Sequence, residues 1–300
     1  MSKQTNSKTI KTSIGGQAVI EGVMMRGPKL TALSVRMPDQ SISTETWDTP
    51  NSNKWYKKTP FIRGVFNFVE SLTDGYKSLM KAAEKAGLDD EEEEPSKFEQ
   101  KLRQLLGDKF MPFLQGCILL FSLAMALFFF AFLPTTLVGF FKDYINHPLA
   151  LSALEGLTKI AILILYLALI SNMSDIKRVF MYHGAEHKTI FCYEHGEELT
   201  VENVRKYTRF HPRCGTSFLV IVLLLSILVS SMVSWDNLWM RVGLKVLCLP
   251  IIMSLSYECI KFAGRHDNLF TRILSAPGLW TQRLTTREPD DSMIEVAIAS

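Results

Sequence analysis

Pro112 to Leu133 reads PFLQGCILLFSLAMALFFFAFL, and no Asp, Glu, Lys, Arg or His occurs between Lys109 and Lys142. A helix needs roughly 20 apolar residues to cross about 30 Å of hydrocarbon, and this stretch supplies them. Three further stretches follow the same logic: Leu154 to Met173, Ser217 to Trp235, and Val242 to Tyr257. In the second, Glu155 and Lys159 stand one helical turn apart, where they can pair. The last two are separated by only a few residues, which predicts an antiparallel helical hairpin, and Pro250 removes a backbone bond from the second arm.

These spans exclude a purely soluble protein. With 47% hydrophobic residues, 19 Phe and 5 Trp, the chain buries too much apolar surface to stay disordered. A formal charge of +3 predicts no nucleic acid partner. Five Cys without framework spacing argue against a disulfide scaffold.

Of the 33 Lys and Arg, 17 precede the first span, 7 lie in the middle loop and 5 follow the last span. The positive-inside rule therefore puts both termini and the middle loop in the cytoplasm. The N-terminal MSKQTNSKTIKTS is polar and leads into no apolar signal region. The expected fold is an α-helical multi-pass membrane protein of about four transmembrane helices with a small cytoplasmic α/β N-terminal domain, its partner the lipid bilayer. The expected divisions are an N-domain over 1–88, an acidic linker over 89–109, a transmembrane region over 110–257 that carries a cytoplasmic His/Cys-rich loop over 174–216, and a cytoplasmic tail over 258–300.

Within the N-domain, Gly16 to Trp47 alternates short apolar runs with Gly-Pro and Pro-Asp punctuation, which predicts two or three short strands. From Phe61 to Ala86, apolar residues recur at helical spacing, which predicts an amphipathic helix lying on the bilayer surface or packed on the sheet. The run DDEEEE, Asp89 to Glu94, reads as a solvated linker. Past the last span, Glu258 with Lys261 and Arg265 with Asp267 are the expected pairs of a charged helical extension.

Chemistry concentrates in the middle loop. Met181 to Phe218 holds four of the six His and two of the five Cys. His183 and His187 stand at i and i+4, so on a helix they share a face, and Glu186 completes the inverted zincin pattern H-x-x-E-H. In that pattern the two His hold a divalent metal, zinc above all, and Glu186 is the catalytic base acting on water. Helical phase brings Glu194 beneath His183 as a third ligand. The alternative is a closed, structural site completed by His195, Cys192, His211 and Cys214. Gly184 inside the motif weakens a helix by about 1 kcal/mol relative to Ala. Glu21 and Arg26, in a glycine-rich stretch, either serve this site as accessory residues or pair on a β-turn.

The strings GGQAVIEGVMMRGP (Gly15 to Pro28), RGVFNFVESLTDGYKSL (Arg63 to Leu79), YHGAEHKTIFCYE (Tyr182 to Glu194), RFHPRCGTSF (Arg209 to Phe218) and SYECIKFAGRHDN (Ser256 to Asn268) together resemble the YqhQ-like membrane proteins of bacteria, a family catalogued as a domain of unknown function. The resemblance implies a multi-pass inner-membrane protein carrying the label of a predicted metal-dependent enzyme. No distant third-ligand segment typical of inverted-zincin peptidases stands out. Two functions follow as expectations: a metal-dependent hydrolase acting at the cytoplasmic face on a peptide or lipid-linked substrate, or a non-catalytic scaffold or assembly factor for other membrane proteins, oligomeric or not. Spans without a midplane charge pair weigh against a transporter.

Overall fold

The computed structural model describes residues 10, 12, 14–49, 54–88, 97–266 and 268–300. The acidic run at Asp89 to Glu94 and the residue Asp267 lie outside them. Strands β1 (Gly15–Val19), β2 (Gly22–Arg26), β3 (Leu30–Arg36) and β4 (Ile42–Asp48) form one antiparallel sheet in the order β1-β2-β3-β4. Helices α1 (Trp55–Lys58), α2 (Arg63–Lys85) and α3 (Lys97–Leu106) follow. Next come α4 (Phe110–Leu127), a π-helical stretch over Phe128–Phe132, α5 (Leu133–Gly139) and α6 (Pro148–Ile170). The chain continues with α7 (Ser174–Glu194), α8 (Val201–Arg205), α9 (Gly215–Ser231), α10 (Leu238–Arg265), α11 (Leu269–Thr285) and α12 (Asp291–Ala299).

Among the described residues, three helical stretches are long and apolar enough to cross a membrane: Phe113–Gly139, Pro148–Ile170 and Leu238–Ala263. The fourth expected span, Ser217 to Trp235, is instead the shorter helix α9 of 17 residues. Its helix stops at Ser231 because Ser234, Asp236 and Asn237 then turn the chain, with Ser234 Oγ bonded to Asp236 and the Asn237 carboxamide accepting the Met240 N–H at 3.0 Å. At about 1.5 Å per residue α9 covers roughly 25 Å, short of the hydrocarbon thickness.

The chain divides into two compact units, with the division falling inside α6, α9 and α10. Unit 1 gathers residues 1–88, 164–222 and 253–300, so the N-terminal sheet shares a core with the middle loop and the tail. Period-2 alternation sets the two sheet faces. Val19, Met24, Leu33 and Val35 pack with Ala82 of α2 on one side. Val23 and Met25 pack with Tyr182, Ala185 and Ile190 of α7 and with Met293, Ile294 and Val296 of α12 on the other. The predicted strands and amphipathic helix are thus a three-layer α/β/α sandwich, with α2 on the sheet. The tail is no solvated extension, since α12 closes the core. Glu258 pairs with Arg63 (Nε to Oε1 2.7 Å).

Gly184 shows why the motif helix tolerates a poor helix former. A Cβ there would sit 2.0 Å from the Arg287 carbonyl oxygen, because the 286–289 segment crosses α7 in backbone contact, with the Arg287 N–H donating to the Phe180 carbonyl at 2.8 Å.

Unit 2 comprises residues 89–163 and 223–252. Its interior carries charge: Glu155, 0% exposed, accepts from Lys159 at 3.0 Å, from Arg241 at 2.9 Å and from Lys245. Thr135, Ser152 and Ser230 and the Val233 and Ser234 carbonyls supply further hydrogen bonds of the three cations. One carboxylate therefore holds three buried cations together.

Two outcomes follow. Gly184→Ala forces α7 off the 286–289 segment and destabilises unit 1 by about 1–3 kcal/mol, read as a lowered melting temperature of the detergent-solubilised protein. Glu155→Ala strands buried cations and costs about 3–5 kcal/mol, read in the same melt; an unchanged midpoint refutes the account of either substitution.

Candidate metal centre

The 21-residue helix α7 is the spine of the site. It is buried on nearly every side from Tyr182 to Glu194, which is why His183, Glu186 and His187 are held in fixed positions on it. His183 Nδ1 lies 2.8 Å from the Thr285 carbonyl oxygen, and His187 Nδ1 lies 2.5 Å from that of Arg209. A carbonyl only accepts, so each Nδ1 carries a proton, and Nε2 is the nitrogen each ring has left to offer a ligand. His183 Nε2 faces Cys214 Sγ at 3.1 Å. His187 Nε2 is buried and has no hydrogen-bond partner among the described residues. One ring nitrogen of His183, one of His187 and the Cys214 sulfur all lie within 4.8 Å of one another.

Cys214 immediately precedes α9, where the Thr216 N–H donates to Sγ at 3.4 Å and the Thr216 hydroxyl lies 3.2 Å away. Glu186 is 4% exposed. The Gly16 N–H donates to its carboxylate, while Oε2 is buried without a partner. Burial pushes its pKa up to about 7, against the opposing pull of His183 and the Gly16 N–H. A Cβ on Gly16 would meet the Glu186 carboxyl at 2.7 Å, so only glycine lets β1 come this close. His183, Glu186 and Cys214 also line a cavity of about 570 Å³ between β1, α2, α7 and the start of α9.

Helical phase alone directs Glu194 toward His183, but the structure places it elsewhere. Its carboxylate is bound by the Arg213 guanidinium and by the Thr12 N–H and hydroxyl, both at 2.8 Å. That pairing takes the lone pairs a metal would need. Cys214, brought back by the loop after α8, stands in the third position instead. His195 lies outside the cluster, its Nδ1 bonded to the Phe191 carbonyl at 2.7 Å. Cys192 is buried in the sheet core, with Sγ 3.6 Å from the Glu198 carbonyl. His211 stacks beside His187 at 5.4 Å between ring centroids, but its Nδ1 accepts the Arg213 N–H at 3.3 Å. Burial and the neighbouring His187 lower its pKa to about 3, so it is neutral.

Glu21 and Arg26 do not pair. Glu21, at the β1–β2 turn, holds Arg178 through two bonds of 2.5 Å and accepts from the Tyr182 hydroxyl at 3.2 Å, so it clamps α7 without joining the ligand cluster. Arg26 binds Glu70 and Asp74 of α2. The residues that orient the ligands escape a sequence reading, because Thr285 and Arg209 act through main-chain carbonyls. Gln282 is similarly hidden: it grips the His211 backbone through an N–H and a C=O bond, both 2.8 Å.

Burial raises the Glu194 pKa, but the Arg213 and Thr12 hydrogen bonds outweigh it and hold the carboxyl below its usual range. A depressed folded-state pKa stabilises above the unfolded value and is lost as pH falls through the folded one. Glu194→Gln is therefore expected to flatten the loss of stability as pH falls through and below the usual carboxylate range in urea titrations, whereas an unchanged acid limb excludes this linkage.

A family model described as "Protein of unknown function (DUF1385)" matches residues 59–300. The chain is 36% identical over 294 residues to the uncharacterized protein YqhQ of Bacillus subtilis (strain 168), an alignment covering 97% of this chain and 92% of that one. No solved structure matches. With most of its length matched, and with the sheet, the motif helix and the tail inside one alignment, the chain belongs to the DUF1385 family of proteins of unknown function.

Proposed function

We propose that the chain is a metal-dependent hydrolase of the bacterial inner membrane, with both termini cytoplasmic, whose ion is held by His183, His187 and Cys214 and whose general base is Glu186. The observation that carries this reading is the pair of imidazoles whose Nδ1 atoms are held by main-chain carbonyls, clustered within 4.8 Å of a cysteine sulfur. The buried, unpartnered His187 Nε2 is a polar atom that a metal ion would satisfy. Two imidazoles and a thiolate suit zinc better than magnesium or calcium, which prefer oxygen. Three protein ligands beside a cavity leave a fourth position open, the feature that separates catalytic from closed structural sites. The distribution of Lys and Arg supports the orientation.

When bound, the ion supplies Lewis-acid polarisation of water and of a substrate carbonyl or phosphoryl oxygen. The protein's own groups do the rest. Glu186, whose Oε2 is buried without a partner and whose side chain lines the cavity, would accept a proton from the attacking water. The Gly16 N–H fixes the carboxylate orientation. Thr285 and Arg209 hold both imidazoles in the ligating tautomer.

Elemental analysis of the detergent-purified protein tests the reading. Wild type is expected to carry about one metal ion per chain, His187→Ala and Cys214→Ala to lose it, and Glu186→Gln to keep it. A metal-free wild type, prepared without chelators, overturns the metal centre. Retention of the ion by His187→Ala overturns this ligand set.

A further inference from the structure

The groove beside Glu186 lies at the one edge where the sheet of unit 1 ends on β1. The layers on the two sheet faces part there: α2 contributes Leu72 and Tyr76, α7 contributes Phe180 and His183, and Gly16 and Ala18 form the strand side. Strand pairing determines what β1 offers. Val19 and Gly22 flank a two-residue turn, so they form a doubly hydrogen-bonded pair, and in an antiparallel ladder Gln17 and Gly15 repeat that phase. The N–H and C=O groups of Gly16 and Ala18 therefore point away from β2. The Gly16 N–H goes to Glu186. The Gly16 carbonyl and both main-chain groups of Ala18 remain at the groove.

We infer that this groove binds an extended polypeptide as an added strand beside β1, which makes the substrate class of the hydrolase a peptide. The inference rests on the metal-centre reading above and refines it. Main-chain donors and acceptors along an edge strand recognise another main chain, and side-chain pockets on alternate sides recognise its sequence. The pockets here are apolar, formed by Leu72, Tyr76, Phe180 and Leu219. Among the described residues no Lys or Arg lines the groove, so the phosphate of a phosphate-bearing substrate finds no cationic side chain there, while apolar side chains of an uncharged backbone meet apolar walls. A strand so bound runs past His183, Glu186 and Cys214. In its hydrolysis the water oxygen bonds to a peptide carbonyl carbon, the C–N bond breaks, and the proton taken up by Glu186 passes to the departing nitrogen, yielding a carboxylic acid and an amine.

The test uses the full-length, zinc-loaded Glu186→Gln protein in detergent and a fluorescein-labelled peptide of Leu, Val and Ala in non-repeating order, followed by anisotropy. Two further peptides carry N-methyl groups, one at odd and one at even positions. One set is expected to weaken binding about tenfold or more, and the other to change it less than about twofold, since a strand pairs through alternate residues. Ala18→Pro in the same background removes the outward N–H without touching the β1–β2 ladder, and is expected to weaken the unmethylated peptide about tenfold with zinc content unchanged. Equal effects of the two methylated sets, or full binding to the zinc-loaded Ala18→Pro protein, overturn the inference. Failure of the unmethylated peptide to bind a zinc-loaded protein overturns it and leaves the metal centre standing. Failure of the protein to hold zinc overturns the metal centre itself.

Discussion

Unit 1 depends on one backbone-to-backbone contact, the passage of the 286–289 segment across α7 at Gly184. With no side chain between them, the carbonyl of Thr285 reaches the imidazole of His183 and the Arg287 N–H reaches the Phe180 carbonyl. The same crossing delivers Thr286 to Arg209, whose own carbonyl holds His187. Helix placement, histidine tautomer and ligand convergence are therefore one mechanical fact. A side chain at position 184 would disturb all three.

A second close approach works in the same way on the other side of the motif. Gly16 lets β1 touch Glu186, so the carboxylate is oriented by a strand whose outer edge also forms the groove wall. The base and the strand edge are thereby fixed relative to each other within the rigid core of the sandwich. Unit 2 solves a different problem, gathering three basic side chains around a single carboxyl group among apolar helices, and these four ionisable groups come from α6 and α10.

Much of this was legible in the residues. Apolar length marked four stretches, of which three qualify as spans among the described residues, glycine and proline punctuation marked the strands, and H-x-x-E-H marked the helix on which His183, Glu186 and His187 sit. The identity of the third converging atom was not legible. Helical phase treats α7 as isolated and puts Glu194 beneath His183, but Arg213, from a distant loop, neutralises that carboxylate, while the same loop carries Cys214 into place. The burial of α12 was hidden for a related reason: nine residues of ordinary composition acquire a core role only when the sheet face they cover is known. Carbonyl groups that orient imidazoles leave no trace in side-chain identity at all.

The sharing of one hydrophobic core by strands at residues 22–36 and a helix at 291–299 also bears on synthesis. Ribosomes deliver the sheet first, and its α7/α12 face stays incompletely covered while the apolar helices between are made and inserted. Val23 and Met25 are therefore exposed to solvent or chaperone through nearly the whole of translation. The assembly of unit 1 is a late event of high contact order, and a nascent chain stalled before α12 presents a bare strand face that quality-control proteases can recognise.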